Sequence, residues 1–372
     1  MTNVFDTERI CAYCMNELQP GETQCRVCKN VAGSYVSPSH QLPVYSVLKG
    51  RYLVGASIGQ GGFGITYIAR DLASGQRVAV KELFVQGLLN RKQGKTVLVQ
   101  DNAHSRQYYQ ICKNKFLHEA YILHNLEEKQ GVVNFLDYFE ENNTAYIVME
   151  YLEGEDLASY LKKKGGKLSF SETFCMLRPV IRSLIVMNES GVLHRDISPD
   201  NIRCLTNGYM KIMDLGGAKY TCQEQQGASQ MVMVKHGYAP PEQYRTGYKI
   251  GPWMDVYALA ATIYRCIMGC IPQDSMSRIE EDKLTKRGFK EAHINRRTEQ
   301  ALMKALSLKV EDRYMDIRSF YTDLKEANPD LLDTSGISGK HSDKDPDKNR
   351  LMYMILGVAG VILLIIVIAL LI

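Results

Sequence analysis

The sequence predicts an α+β chain. It has a two-lobed domain with strands first and helices after, a small cysteine module ahead of it, and one apolar helix behind it. Three observations carry that reading. Short alternating segments separated by glycine turns fill the stretch from Arg51 to Tyr151, and helical periodicity takes over beyond Gly154. Of the ten cysteines, Cys11, Cys14, Cys25 and Cys28 crowd into the first 28 residues. Leu351–Ile372 contains no charged residue.

Residues 8–30 form the cysteine module. Its two Cys-x-x-Cys knuckles are separated by ten residues, and each can present two sulfurs to one tetrahedral ion. Pro20-Gly21 supplies the turn between them. So short a segment has too little core to fold without metal. Four thiolates in a small structural site favour Zn2+ over an iron–sulfur cluster, and the module resembles small zinc ribbons. A disulfide or redox pair is the competing reading. Asp6, Glu8 and Arg9 interrupt the N-terminus, so no signal peptide is visible and the reducing cytosol is expected.

Residues 31–50, with Ser34, Ser37, Pro38, Ser39 and Pro43, read as a linker. The main domain is expected over 51–331. Tyr52–Ser57, Gly64–Asp71 and Gln76–Leu83 read as strands, with a glycine-rich turn and then Ala73-Ser74-Gly75 between them. A basic and polar insert, Gln86 to Lys115, carries no assignable role. Phe116, Ala120, Leu123 and Leu126 place a helix over Lys115–Glu128. Val132–Glu140 and Thr144–Tyr151 read as two more strands about a turn at Glu141-Asn142-Asn143. The helices of the second lobe are expected at Asp156–Lys164, Ser171–Ser190, Asp255–Met268 and Thr298–Leu306.

Residues 332–350 are polar and read as a tether beside the membrane. The 22 residues 351–372 rise about 33 Å as a helix, enough to cross a hydrocarbon core of about 30 Å. A buried core helix is the competing reading, but such helices rarely lack a polar face over this length. Lys344, Lys348 and Arg350 precede the segment and place the N-terminal side in the cytoplasm. A single-pass cell-membrane protein is expected, either anchored by its tail or continuing into an outer domain. With 45 basic and 41 acidic residues the formal charge is +4, which argues against a nucleic-acid binder.

The chemistry is concentrated in His194-Arg195-Asp196-Ile197-Ser198-Pro199-Asp200-Asn201 and, thirteen residues after Asn201, Asp214-Leu215-Gly216. An isolated carboxylate, an amide and a second carboxylate in that order are the set that orients a hydroxyl and holds magnesium on a nucleoside triphosphate. Gly59-Gln60-Gly61-Gly62-Phe63-Gly64 is the turn through which backbone can approach phosphate oxygens. Lys81 ends the strand Val78-Ala79-Val80, and Glu119 is its best acidic partner on the following helix.

Taken together, these motifs resemble those of eukaryotic-like (bacterial Hanks-type) serine/threonine protein kinases, from about Arg51 to Leu331. The resemblance implies that Lys81 meets the α- and β-phosphates and pairs with Glu119. It implies that Asp196 takes or orients the acceptor's hydroxyl proton, and that Asn201 and Asp214 hold Mg2+ or Mn2+. Ile58, Gly59, Gly61, Gly62, Gly64 and Thr66 would roof the ATP. Met149 would be the gatekeeper, with the backbone from Glu150 to Leu152 facing adenine. Glu242 would pair with Arg313, and Asp255 would brace the catalytic loop.

There are departures. Ser198 stands where the family usually carries a lysine that contacts the γ-phosphate; a serine can donate a hydrogen bond but brings no charge. Leu215 replaces a phenylalanine and keeps the site apolar. His236 stands before Gly237-Tyr238, where threonine is common. The expected function is a membrane-anchored signalling kinase acting on protein substrates, with room for a homodimer. It would autophosphorylate at Thr221 or Ser229, or in the tether at Thr334, Ser335, Ser338 or Ser342. The rival readings are a pseudokinase scaffold whose ribbon recruits partners and a small-molecule phosphotransferase.

Overall fold

The computed structural model describes residues 9–91, 94–126, 130–214, 219–220, 234–244 and 248–331. The chain divides into two units, Met1–Asn328 and Pro329–Ile372. Within the second, the described part is the 3₁₀ turn Pro329–Leu331. The apolar segment 351–372, the tether, Leu215, Gly216, Thr221 and Ser229 all lie outside the described residues. Among the described residues no helix is long and apolar enough to cross a membrane.

In the first unit the strand-rich part comes first. β1 (Val47–Leu48), β2 (Tyr52–Gln60), β3 (Gly64–Asp71) and β4 (Arg77–Leu83) are followed by a hairpin of β5 (Leu89–Arg91) and β6 (Val97–Val99). Helix α1 (Ala103–Asn125), β7 (Phe135–Glu141) and β8 (Thr144–Glu150) complete it. The main sheet runs β1-β2-β3-β4-β8-β7, antiparallel throughout. β8 reads Thr-Ala-Tyr-Ile-Val-Met-Glu and is buried along its length except at Glu150. It is an interior strand with α1 packed against it, so both of its faces need apolar cover.

The second part is mostly helical. β9 (Gly154–Asp156), α2 (Leu157–Lys163), α3 (Phe170–Glu189) and β10 (Val192–Leu193) lead to the small strands β11 (Ile202–Leu205) and β12 (Met210–Ile212). Then come α4 (Trp253–Met268), α5 (Ser275–Glu280), α6 (Lys283–Arg287), α7 (Arg296–Ala305) and α8 (Ile317–Ala327). Ser169 and Glu172 close a reciprocal capping box at the start of α3. α4 is buried on almost every side and forms the axis of this lobe; Gly269, with φ 75°, ends it in the left-handed conformation.

Two sequence expectations are corrected. α1 begins at Ala103, not Lys115, because the Asn102 side chain caps it by accepting from Ser105 N at 2.7 Å. The insert therefore contributes a hairpin and the first half of a helix. Residues 31–50 are packed, not a free linker: Leu42 is buried and its amide donates to Tyr67 Oη at 3.0 Å, and β1 joins the main sheet. The cysteine module is likewise fused to the sheet. Ile10 and Met15 share a core with Leu53 and Ile68, and Ala56 N donates to Ala12 O at 2.8 Å. Gly55 permits this approach, since a Cβ there would lie 2.3 Å from Met15 Cε and 2.6 Å from Ala12 O.

Candidate active site

Lys81 sits in β4 opposite Thr66 of β3 and Ile147 of β8, so its position is fixed on both sides by the sheet. Its ammonium donates to both oxygens of Glu119, at 2.8 and 3.0 Å, and to Asp214 Oδ1 at 2.7 Å. Glu119 reaches it from the buried face of α1. Burial alone would favour neutral lysine, but the Asp214 and Glu119 carboxylates outweigh it and hold Lys81 above its ordinary range. A cation is thus fixed between two elements that are distant in sequence.

Below it, Asp255 at the start of α4 accepts from the backbone amides of His194 (2.9 Å) and Arg195 (2.8 Å). Asn188 of α3 adds a third hydrogen bond at 3.1 Å. This holds Arg195 at φ 66°; Asp214, on the other side of the cleft, sits at φ 56°. Non-glycine residues in this region cost roughly 1–3 kcal/mol each and persist only where their surroundings impose them. The Asn201 amide donates to Asp196 O at 2.8 Å and to Asp196 Oδ2 at 2.7 Å. Burial pushes the Asp196 carboxyl above the ordinary aspartate range, while His194, Lys235 and Asn201 act against that rise.

With its nitrogen turned to Asp196, Asn201 keeps its carbonyl oxygen for a metal, as hard divalent cations require. Asp214 is half exposed and supplies the second oxygen donor. These residues fit Mg2+, which would neutralise charge on the β- and γ-phosphates.

The glycine turn separates by steric demand. A Cβ on Gly64 would meet Glu82 O at 2.8 Å, so the sheet itself requires glycine there. Gly59 and Gly61 have nothing within 4 Å, so within the chain their bareness serves no packing. That is the pattern of backbone left open to a ligand. Gly64→Ala is expected to cost about 1–3 kcal/mol of stability. Gly61→Ala should stay within about 0.5 kcal/mol of the parent while weakening MgATP binding. Thermal melts and calorimetric titration separate the two, and equal melting of both variants would defeat the steric account.

The remaining expected residues are placed as follows. Ile58 is exposed at the end of β2, and Thr66 pairs with Gly59. Met149 is buried opposite Ala79. Glu150 accepts from Asn134 N at 2.7 Å and from Lys211, and Leu152 O accepts from Arg203 Nε at 3.3 Å, which ties the expected hinge to β11 and β12. Ser198 needs correction: it is fully buried, and its hydroxyl accepts from Lys235, so it does not stand open to a phosphate. A cavity of about 760 Å³ opens behind the hinge, not over Lys81, with Met15, Arg70, Arg77 and Tyr151 in its wall.

The sequence reading missed one anchor of this site. Glu82, next to Lys81, is fully buried; Tyr67 and Tyr146 donate to it at 3.0 and 3.1 Å, and Arg91 of β5 pairs with it at 2.5 Å. The insert thus neutralises a carboxylate in the strand that carries Lys81.

In the cysteine module the four sulfurs lie within 4.8 Å of one another, with Cys11–Cys28 and Cys14–Cys25 each at 3.6 Å. A tetrahedral ion with Zn–S bonds of about 2.3 Å needs sulfurs roughly 3.8 Å apart. Burial pushes the Cys11 and Cys14 thiols up and disfavours the Cys28 thiolate too, yet the Asn30 amide and the neighbouring thiols bring Cys28 down to about 7. The donors fit Zn2+.

A family model described as protein kinase domain matches residues 52–329. A probable serine/threonine-protein kinase of Clostridium perfringens is 28% identical over 315 residues, which is 82% of this chain and 42% of that protein. Serine/threonine-protein kinase PknA of Mycobacterium tuberculosis is 32% identical over 230 residues, 60% of this chain and 48% of its own. The solved apo form of PpkA-294 superposes with a TM-score of 0.66 at 28% identity, covering 77% of this chain and all of that one. The chain spans less than half the length of these two curated relatives.

Proposed function

Because this chain belongs to the protein kinase family, we propose that it transfers the γ-phosphate of MgATP to serine and threonine hydroxyls of proteins. The observation that carries this reading is the convergence of Lys81, Glu119 and Asp214 above an Asp196–Asn201 pair. The P–O bond to the β-phosphate breaks, its electron pair leaves on the β-phosphate oxygen, and the acceptor oxygen bonds to phosphorus. Asp196 accepts the hydroxyl proton, and Lys81 holds the nucleotide in line. The names of the relatives, serine/threonine-protein kinases, support the choice of acceptor.

The cysteine module is assigned a structural Zn2+, on the spacing of its sulfurs. Residues 351–372 are assigned a single membrane span that leaves the kinase domain in the cytoplasm, on their apolarity and the basic residues before them. Autophosphorylation is assigned to Thr221 or Ser229, whose phosphate would pair with Arg195, or to the tether at Thr334, Ser335, Ser338 or Ser342.

Labelled ATP and a generic protein acceptor test the central claim. Asp196→Asn is expected to lower transfer by about 10²–10⁴-fold, with phosphoserine and phosphothreonine as the products of the parent. Equal labelling by both proteins would remove Asp196 from the chemistry.

A further inference from the structure

The catalytic loop lacks its own lysine, yet a cation stands in it. The Lys235 ammonium donates to Ser198 Oγ at 2.8 Å and lies 2.5 Å from Asp200 Oδ2. It is His236 that the sequence places at the threonine position, but His236 is largely exposed and turns to Asp274; the preceding residue is the one that enters the loop. Among the described residues, Lys235 is the cation bonded to side chains of 196–201. Its field also reaches Asp196, where it opposes the effect of burial. Its side chain is about one-third exposed, so the ammonium is held without being sealed off.

We infer that Lys235 is a catalytic residue of this kinase, its ammonium bound to the transferred γ-phosphoryl group, with Ser198 and Asp200 as the positioning residues that hold it there. The inference rests on the proposed kinase activity. The loop 194–201 and the residues just before Gly237-Tyr238 have exchanged roles: a serine stands at 198, and the charge returns from 37 residues further along the chain.

The chemistry is consistent with this. Transfer spreads negative charge over the equatorial oxygens of the γ-phosphoryl group, and a fixed cation there stabilises the transition state more than the ground state. Lys81 is assigned to the nucleotide and bonds Glu119 and Asp214, not the side chains of 196–201. An ammonium has three donors; Ser198 and Asp200 take two of Lys235's, and the third is left for a phosphoryl oxygen. Lys235 stays protonated throughout, and the acceptor's proton still goes to Asp196. Ser198 is small enough to admit the incoming ammonium and polar enough to orient it, which accounts for a buried hydroxyl with no other assigned role.

The test compares the parent chain of residues 1–372, Lys235→Met and the reciprocal double variant Ser198→Lys/Lys235→Thr, using labelled MgATP, a generic protein acceptor and calorimetric titration of MgATP. Lys235→Met is expected to lower kcat by about 10²–10³-fold, as loss of a transition-state donor does. Its MgATP affinity should stay within about threefold, since an interaction made in the transition state leaves ground-state binding alone. The double variant returns the charge from the other side and is expected to recover to within about tenfold of the parent. If Lys235 only clamped the loop, the exchange would not restore the rate. Transfer by Lys235→Met within about threefold of the parent overturns the inference; so does a double variant no faster than Lys235→Met. If Lys235→Met does not fold, the double variant alone decides. Absence of transfer by the parent overturns the kinase reading and this inference together, whereas an active parent with an active Lys235→Met overturns this inference alone.

Discussion

Arg313→Met should lower the unfolding free energy by about 3–5 kcal/mol, the cost of leaving one member of a buried ion pair uncompensated. Arg313 and Glu242 are both almost wholly buried, and the guanidinium meets both carboxylate oxygens, at 2.5 and 3.0 Å. Arg313 also donates to the carbonyls of Ser307 (2.5 Å) and Leu308 (2.9 Å), so its loss strands backbone acceptors as well. Glu242→Gln leaves the carbonyls their donor, but it turns an amide NH2 toward one guanidinium N–H and leaves the buried cation uncompensated, so a cost of the same order, about 3–5 kcal/mol, is expected. Urea unfolding of the two single variants and the double variant measures this as a coupling energy. Additive costs, or a loss under about 1 kcal/mol for Arg313→Met, would contradict the buried-pair account.

Stripping the metal from the cysteine module, or replacing Cys25 by Ser, is the second large effect. The binding free energy of a structural zinc site is about 10–16 kcal/mol, and it is folding free energy for the module. The damage should not stop there. Met15 and Ile10 cover Leu53 and Ile68 of the sheet, and each such side chain contributes about 1.5–3 kcal/mol when buried. Chelation should therefore release one zinc per chain and lower the melting temperature of the catalytic unit in the same step. Release of zinc with an unchanged melt would show that the module is only an appendage. No metal release at all would remove the zinc assignment.

The candidate site residues are legible in the sequence because they match the ordered motifs of the family the chain resembles. Lys81, Glu119, Asp196, Asn201 and Asp214 keep a fixed order in the sequence, and the structure brings Lys81 to Glu119 and Asp214, and Asn201 to Asp196. The supports were less legible. Residues 103–114 carry no clear apolar period, so the apolar pattern marks only the second half of α1, and the Asn102 cap is the one local signal of its true start. Leu42 and Tyr45 are isolated among prolines and serines, and neither shows that it packs on a sheet. α8 was readable in principle, with Ile317, Phe320, Tyr321 and Leu324 on one face and Asp316 as cap. Lys235 was not, since nothing local connects it to Ser198.

Glu82 and Arg91 cannot be altered independently. A carboxylate with no solvent contact, in the strand that carries Lys81, is tolerable because the hairpin's guanidinium meets it. Any descendant of this chain that discards the hairpin must also replace Glu82 with something neutral. Any descendant that keeps Glu82 has to inherit Arg91 with it. The two positions should consequently be gained and lost together across its lineage, a signature of joint inheritance that can be sought without purifying the protein.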